Sequence, residues 1–456
     1  MPMRRERQIC HQTVRRSRLM KKLSFTATGD AILMTRLNEN YAAFKPLRDF
    51  ICRGDVRVNN LEYVISDYKR FGSTFCGGLW QTARPNVFED MHKFGFNMYS
   101  CATNHSMDYS FEGVLQTCRY LESRDICYAG IGENLFEAEK PALLYTGQST
   151  VALISNCSSF DDSARAGYPS NEIPGRPGLN PLRFTTINHV THEEMETLKK
   201  IEAECFVGAT KKNSQIDGFT PMGPKGLYDF GGNYFIEDTR SYRETVVSPY
   251  DLDRTVRGIR DALNYADHVI IMTHTHQFKA FEFTEPDYFF EDFARKCIDA
   301  GASAVIAGGT HQLKPMEIYK GKPIFYSLGN FIFQLDYIER QPIDYWERHS
   351  LSREDYPSNY AVMAVRDQTC QRGLTNSFLN YRSVIPYFEF DEDGNLSKLV
   401  MKPIELGFDG DPLFKGIPFE ADRETSEEIC ERLQRLSSPY GVSLFLNDEG
   451  LIEVRL

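Results

Sequence analysis

The chain has 456 residues, 52 of them Lys or Arg and 63 Asp or Glu, for a formal net charge of −11. That acidic balance argues against general nucleic-acid or anionic-membrane binding, because phosphate surfaces recruit an excess of basic side chains. A composition 41% hydrophobic and 13% aromatic can bury a large core, which excludes global disorder, and no run of about eighteen apolar residues marks a membrane span.

In chain order, residues 1–22 read as a basic disordered tail. It holds Arg4, Arg5, Arg7, Arg15, Arg16 and Arg18 against Glu6 alone, ends in Met20-Lys21-Lys22, and lacks the apolar stretch of a secretory signal. Met20 makes a natural start, so the tail is either disordered or an over-extended reading frame rather than a nucleic-acid arm. Residues 23–29 read as a buried strand ending at Asp30, 41–53 and 87–94 as helices, and 97–102 as a strand running into Thr103-Asn104-His105. Helical spacing of Phe111, Val114, Leu115, Cys118 and Leu121 predicts a helix over 111–123. Short strands are expected at 142–145 and 151–154.

From 157 to 249 clean alternation is lost, apart from a helix near 192–204, and so long a stretch suggests a functional insertion or lid. The rhythm then resumes: helix 250–266, strand 268–272, helix 288–300, strand 302–307, and a hairpin of 316–319 with 323–326. A second irregular stretch covers 335–358. Strands near 360–365 and 384–390 and a helix over 423–437 follow. Alternating strands and helices predict a layered α/β fold, mixed sheets flanked by helices. One enlarged domain is expected over 23–410, with insertions at about 157–249 and 335–358, followed by a helix-and-strand extension over 411–456. The 11 cysteines are odd in number and never in C-x-x-C spacing, which favours free thiols in a reducing compartment over a disulfide or zinc scaffold. With no export signal, the expected location is cytoplasmic.

Polar residues concentrate where the strands end, the place where α/β sheets build sites. Five such ends supply Asp30; Glu62, after Asn59-Asn60-Leu61; Asn104-His105 with Asp108; His274-Thr275-His276; and His311 after Gly308-Gly309-Thr310. Taken singly, Asp30 could be a helix cap, Glu62 a surface charge and each histidine an ordinary core-edge residue. Their convergence on strand ends points instead to a divalent pair such as Mn²⁺, Fe²⁺, Zn²⁺ or Mg²⁺. A shared carboxylate would bridge the pair, and such a centre serves hydrolysis. His11, His92 and His192 have no ligand-like neighbours and read as ordinary.

Gly29-Asp30, Asn60-Leu61-Glu62, the run from Ala102 to Tyr109, and Ala129-Gly130-Ile131-Gly132 through Ala138 and Pro141 occur in a telling order. The most specific stretch runs from Gly301-Ala302 through His311 and on from Gly321 to Phe331. In these segments the sequence resembles the capsule-synthesis protein CapA family over about residues 23–333. That resemblance implies a fold similar to the calcineurin-like metallophosphoesterases and a link to poly-γ-glutamate synthesis. It further implies that Asp30, Asn104, His274 and His311 are metal ligands and Glu62 the bridging acid. His105 would face the leaving group, oriented by Asp108. Two departures stand out. Gly308-Gly309-Thr310 occupies a place where relatives carry histidines, and His274-Thr275-His276 replaces a His-Trp-Gly pattern. Either His276 takes the place of a lost ligand, since residues two apart share a face, or one metal site is weak or absent.

The segment Arg176-Pro177-Gly178-Leu179-Asn180-Pro181-Leu182-Arg183 is rigid and basic. Arg176, Asn180 and Arg183 are expected either to hold an anionic small-molecule or polymer substrate, given the bidentate habit of Arg, or to form a solvated surface turn. Trp80, Tyr326 and Phe331 read as packing residues. The preferred function is a metal-dependent hydrolase acting on a phosphoester or a γ-glutamyl amide. The alternative is a non-catalytic binding subunit working with poly-γ-glutamate synthase components. A nucleotide-binding enzyme lacks both the P-loop and the G-x-G-x-x-G turn.

Overall fold

The computed structural model describes residues 22–279, 281, 283–370, 373–409 and 411–455, so all of the predicted basic tail but Lys22 lies outside the described residues. Strand Leu23–Ile32 is buried along its whole length, as its unbroken run of apolar and small residues requires of a strand covered on both faces. It pairs in parallel with Val56–Leu61 and Asn330–Phe333, and antiparallel with Arg382–Phe390. Beyond the last of these come Leu396–Glu405, Ile452–Val454 and Leu444–Leu446, and the whole sheet has ten strands. A second sheet of six strands is centred on His268–Thr275, which runs parallel to Thr150–Cys157 and Ala304–Gly309.

The two sheets stack. Phe25, Val58 and Met98 from the first share a core with Leu153, Ile270 and Ile306 from the second. Helices Phe44–Ile51, Pro85–His92 and Ser110–Ser123 cover the first sheet through Leu47, Phe88 and Val114. Helices Pro249–Ala262 and Tyr288–Ala300 cover the second through Ile259 and Phe293. Each fully buried side chain of this size contributes about 1.5–3 kcal/mol. The result is a mixed α/β architecture, as the alternation of elements predicts, with Trp80, Tyr326 and Phe331 buried in its packing.

The structure differs from the sequence reading in three places, two of which have a physical cause. Residues 360–365, expected as a strand, lie in helix Asn359–Thr369. The Ser358 side chain caps it by accepting from the Ala361 N–H, and a short apolar run cannot be told from a helix segment by periodicity alone. The stretch from 157 to 249 holds a four-stranded sheet of Phe184–Val190, Tyr228–Phe230, Asn233–Glu237 and Tyr242–Val247. Its strands are largely half-exposed, so neither face writes a clean alternation. Strand Leu396–Glu405 went unread although it is central to the first sheet. Among the described residues no helix is long and apolar enough to cross a membrane, and the cysteines are free.

Candidate metal centre

Parallel pairing sends the carboxyl ends of both sheets to one edge. In the first sheet Asp30 stands in register with Asn60 on one side and Asn330 on the other. In the second, His274 is flanked by Gly308 and Cys157. The last strand runs on through Gly309, and the chain turns at His311, whose φ of 59° is left-handed. A bulky residue holds that conformation only when its surroundings enforce it. Asn330 does so, donating from Nδ2 to the His311 and Asn380 carbonyls and accepting from His311 Nδ1 at 2.9 Å. His311 Nε2 is thereby left to face Glu62 Oε1 at 4.0 Å.

Glu62 is the electrostatic centre. Its side chain is 0% exposed, and both carboxylate oxygens lack a hydrogen-bond partner. Burial, then the charges of Asp30 and Asp108, push its pKa well above the carboxylate range. Around it stand His274 Nε2 at 3.5 Å, His105 Nε2 at 3.9 Å and His311 Nε2 at 4.0 Å. Two groups have ligand atoms mutually within 4.8 Å: Glu62, His274 and His276; and Asp30, Glu62 and His311. Glu62 belongs to both. His274 and His276 bring their Nε2 atoms to 3.0 Å, which two cationic rings would not tolerate. Burial lowers His274 to about 3 and His276 well below its ordinary value, so both are neutral bases, the form a cation requires. Asn60 ties the sheets together, donating to Asp30 Oδ1 at 2.8 Å with the same Nδ2 3.1 Å from His274 Nδ1.

Asn104 and His105 follow strand Met98–Ser100. Asn104 Oδ1 is buried without a partner. His105 donates from Nδ1 to Asp108 Oδ2 at 2.6 Å, and its Nε2 accepts from Gln81 Nε2 at 2.8 Å. Burial raises Asp108, with His105 opposing, while the Gln81 and Gly77 backbone N–H groups also bond its carboxylate. The loop carrying Gly77 lies directly over this pair: a Cβ there would meet Asn104 Nδ2 at 2.2 Å and His105 Nε2 at 2.7 Å. Gly308 is equally confined, since its Cβ would lie 2.1 Å from Asp30 Oδ1, and the next N–H, of Gly309, donates to Asp30 Oδ2 at 2.7 Å.

The structure thus brings Asp30, Glu62, Asn104, His105, Asp108, His274, His276 and His311 to one edge. It does not add the expected substrate loop to them. The Arg183 guanidinium forks onto Asp251, with Nε and Nη2 each at 2.8 Å. Arg176 Nε donates to the Arg165 carbonyl, and Asn180 Nδ2 to the Ser155 carbonyl. Among the described residues no hydrogen bond or ion pair joins these three to the centre; Arg183 and Asn180 instead anchor the loop to helix Pro249–Ala262 and strand Thr150–Cys157. Sequence reasoning missed Asn60, Gln81 and Asn330 as orienting groups. Asn60 and Asn330 sit inside the quoted motifs, which was the available signal; Gln81 offered none. His92 and His192 are ordinary, bonded to the Tyr99 hydroxyl and to Glu237.

Comparison with known proteins bears on this geometry. The family described as bacterial capsule synthesis protein PGA_cap matches residues 24–335. The chain belongs to that family. Two proteins of Sinorhizobium fredii (strain NBRC 101917 / NGR234), y4sH and y4uA, are each 32% identical over 447 residues, covering 94% of this chain and 93% of their own. The PGA biosynthesis protein CapA of Bacillus subtilis (strain 168) is 24% identical over 248 residues, which is 54% of this chain and 44% of that one. The capsule biosynthesis protein CapA of Bacillus anthracis is 22% identical over 322 residues, 69% and 60%. Every residue of the centre falls inside the PGA_cap match, whereas strands Arg382–Phe390 and Leu396–Glu405 lie past its end.

Proposed function

We propose that this member of the capsule-synthesis family is a divalent-metal-dependent hydrolase of metallophosphoesterase type, acting on a phosphoester or on an amide of γ-glutamyl kind. The observation that carries the reading is Glu62: a buried carboxylate with neither oxygen paired, shared by two ligand groups. An uncompensated buried charge is costly, and a cation pair bridged by Glu62 removes the cost. In this reading Asp30, Glu62 and His311 would hold one ion and Glu62, His274 and His276 another, with Asn104 Oδ1 as a further possible donor. His276 then supplies the ligand that Gly308-Gly309 lacks. Mixed carboxylate, amide and imidazole donors suit Mn²⁺, Fe²⁺, Zn²⁺ or Mg²⁺. Ions so held would supply Lewis-acid polarisation and water activation. His105, its Nδ1–H fixed by Asp108, presents Nε2 where the leaving group would take the place of the Gln81 amide; as an imidazolium it would give its Nε2 proton to the leaving atom and be left neutral. A binding subunit without catalysis would have no use for this His105–Asp108 arrangement beside a full ligand set.

The test is metal analysis of protein purified without chelator, with turnover assays on phosphomonoester, phosphodiester and γ-glutamyl substrates. Bound divalent ion and chelator-sensitive turnover are expected. Protein that holds no such ion, with activity indifferent to chelator, defeats the reading.

A further inference from the structure

His276 lies just past strand His268–Thr275, where the sheet no longer fixes the backbone, yet its Nε2 stands 3.0 Å from that of His274. A side chain on a loop keeps such a place only when a supporting shell is built around it. Other side chains supply that shell. The His276 N–H donates to Ser159 Oγ at 2.7 Å. The next residue, Gln277, is gripped at both ends. Its Oε1 accepts from Ser158 Oγ at 2.6 Å, Thr275 Oγ1 at 3.0 Å and Ser159 Oγ at 3.2 Å. Its main-chain carbonyl accepts from Lys314 Nζ at 2.7 Å. The Ser158 N–H donates to the His274 carbonyl at 2.9 Å, which anchors the serine pair to the strand that carries the first histidine.

Lys314 is the unusual member. It is 1% exposed, and among the described residues it bonds a main-chain carbonyl and no carboxylate. A buried amine is costly unless it is hydrogen-bonded. Burial lowers its pKa to about 7 against the opposing charge of Asp287, and the amine donates in either state. Lys314 follows His311 by three residues, so its bond to Gln277 ties the loop of His311 to the loop of His276. The rings of those two histidines meet edge to face, their centres 5.8 Å apart. Gly309 completes the seat. A Cβ there would lie 2.9 Å from His276 Cδ2, and its φ of 113° is left-handed, so glycine leaves the ring its room.

We propose that Gln277 and Lys314 are positioning residues for His276: with Ser158 and Ser159 they set its ring beside His274 and Glu62, and thereby fix the affinity of the ion site those three residues form. That the seat serves an ion rests on the metal reading above; that the ring is held there does not.

Competition for Zn²⁺ against a metal-sensitive dye, on the full chain stripped of ions, tests it alongside thermal melts of the ion-free protein. Wild type takes up two ions, and His276→Ala marks the one that depends on this ring. Gln277→Leu, which removes the shared acceptor, weakens that ion about tenfold to a hundredfold; Gln277→Glu, which keeps an acceptor oxygen, restores most of the affinity. Lys314→Met weakens the same ion about tenfold, while the melting temperature holds or rises because the buried amine is gone. A merely structural role would lower the melting temperature instead. Affinities equal to the wild type's in Gln277→Leu and Lys314→Met overturn the proposal, and Lys314→Met with Ser159→Ala carries the test if Gln277→Leu does not fold. If wild type takes up fewer than two ions, the two-ion reading fails and ion-free crystals of wild type and variants decide the rest: a His276 ring displaced from His274 in the variants upholds the positioning, and an unmoved ring overturns it. Turnover is read separately. Two ions bound, one of them weakened in the variants, with no turnover, would sink the hydrolase reading and leave the positioning standing; turnover with unaltered ion affinity in the variants would do the reverse.

Discussion

The edge that builds the candidate centre and the four-stranded sheet inserted within residues 184–247 use similar polar residues under opposite conditions. At the centre Asp30, Glu62 and His274 are withdrawn from water, and their atoms either bond one another or face a common point. In the insertion, strand Phe184–Val190 is half-exposed throughout, and His189 with Asp238 and Glu244, like His192 with Glu237, forms pairs that water can screen. What fixes the insertion is two buried aspartates at its junctions. Asp251 takes the Arg183 fork and Arg254. Asp287 takes Arg243, the Thr245 hydroxyl and the Tyr288 N–H. Burial, rather than residue type, decides what a charge does in each region.

The contrast can be broken in four places. The largest effect belongs to Glu62→Gln, expected to lower turnover about a thousandfold, or about 4 kcal/mol. It also erases the stabilisation by divalent ions, which for the wild type reaches about 2.7 kcal/mol at a hundred times the dissociation constant. Thermal melts with and without ion check this, and ion-induced stabilisation of the variant equal to that of the wild type would contradict it. Next comes Asp251→Asn, expected to cost about 3 kcal/mol at neutral pH by removing the buried charge that Arg183 and Arg254 share. Burial pushes the Asp251 carboxyl up, but the Arg183 hydrogen bonds and the Arg254 charge outweigh it and leave it below its ordinary value. The stabilisation is therefore complete above about pH 4 and is lost as pH falls through the lower folded-state value. Denaturation curves of both proteins should differ by a constant amount from pH 7 to about 5 and converge in acid; a gap that widens in acid would show the sign to be wrong.

Smaller effects sharpen the comparison. Asn330→Ala frees His311 to turn, and ion affinity should fall about tenfold to a hundredfold, measured by competition with a metal-sensitive dye. Unchanged affinity would mean that the strained backbone alone positions the ring. His192→Ala, on the exposed helix His192–Cys205, should change stability by less than about 0.5 kcal/mol. A larger loss in chemical denaturation would show that the insertion depends on its surface pairs after all.

The convergence of the candidate ligands was legible because polar residues at strand ends leave a pattern: apolar runs that stop at Asp30, Asn104 and His311. The orienting amides were not. Asn60 and Asn330 act through register across three strands, and Gln81 reaches His105 across 24 residues that include helix Pro85–His92, relations no local spacing records. The insertion's sheet stayed hidden because half-exposed strands such as Phe184–Val190 have no dry face to mark in sequence. Helix Asn359–Thr369 was read as a strand because Val362 and Met363, both buried, sit in an apolar run that suits either form. The partner of Arg183 was hidden for a related reason: nothing near it in sequence announces Asp251, 68 residues on.

Gly308 bears on how this centre can change. With a Cβ at 308 falling 2.1 Å from Asp30 Oδ1, a histidine placed there would push the Asp30 carboxylate out of the position it holds. Diversification or engineering of the coordination is therefore channelled to the opposite rim, where His276 is partly open to solvent and can be exchanged without disturbing the strand that carries Asp30.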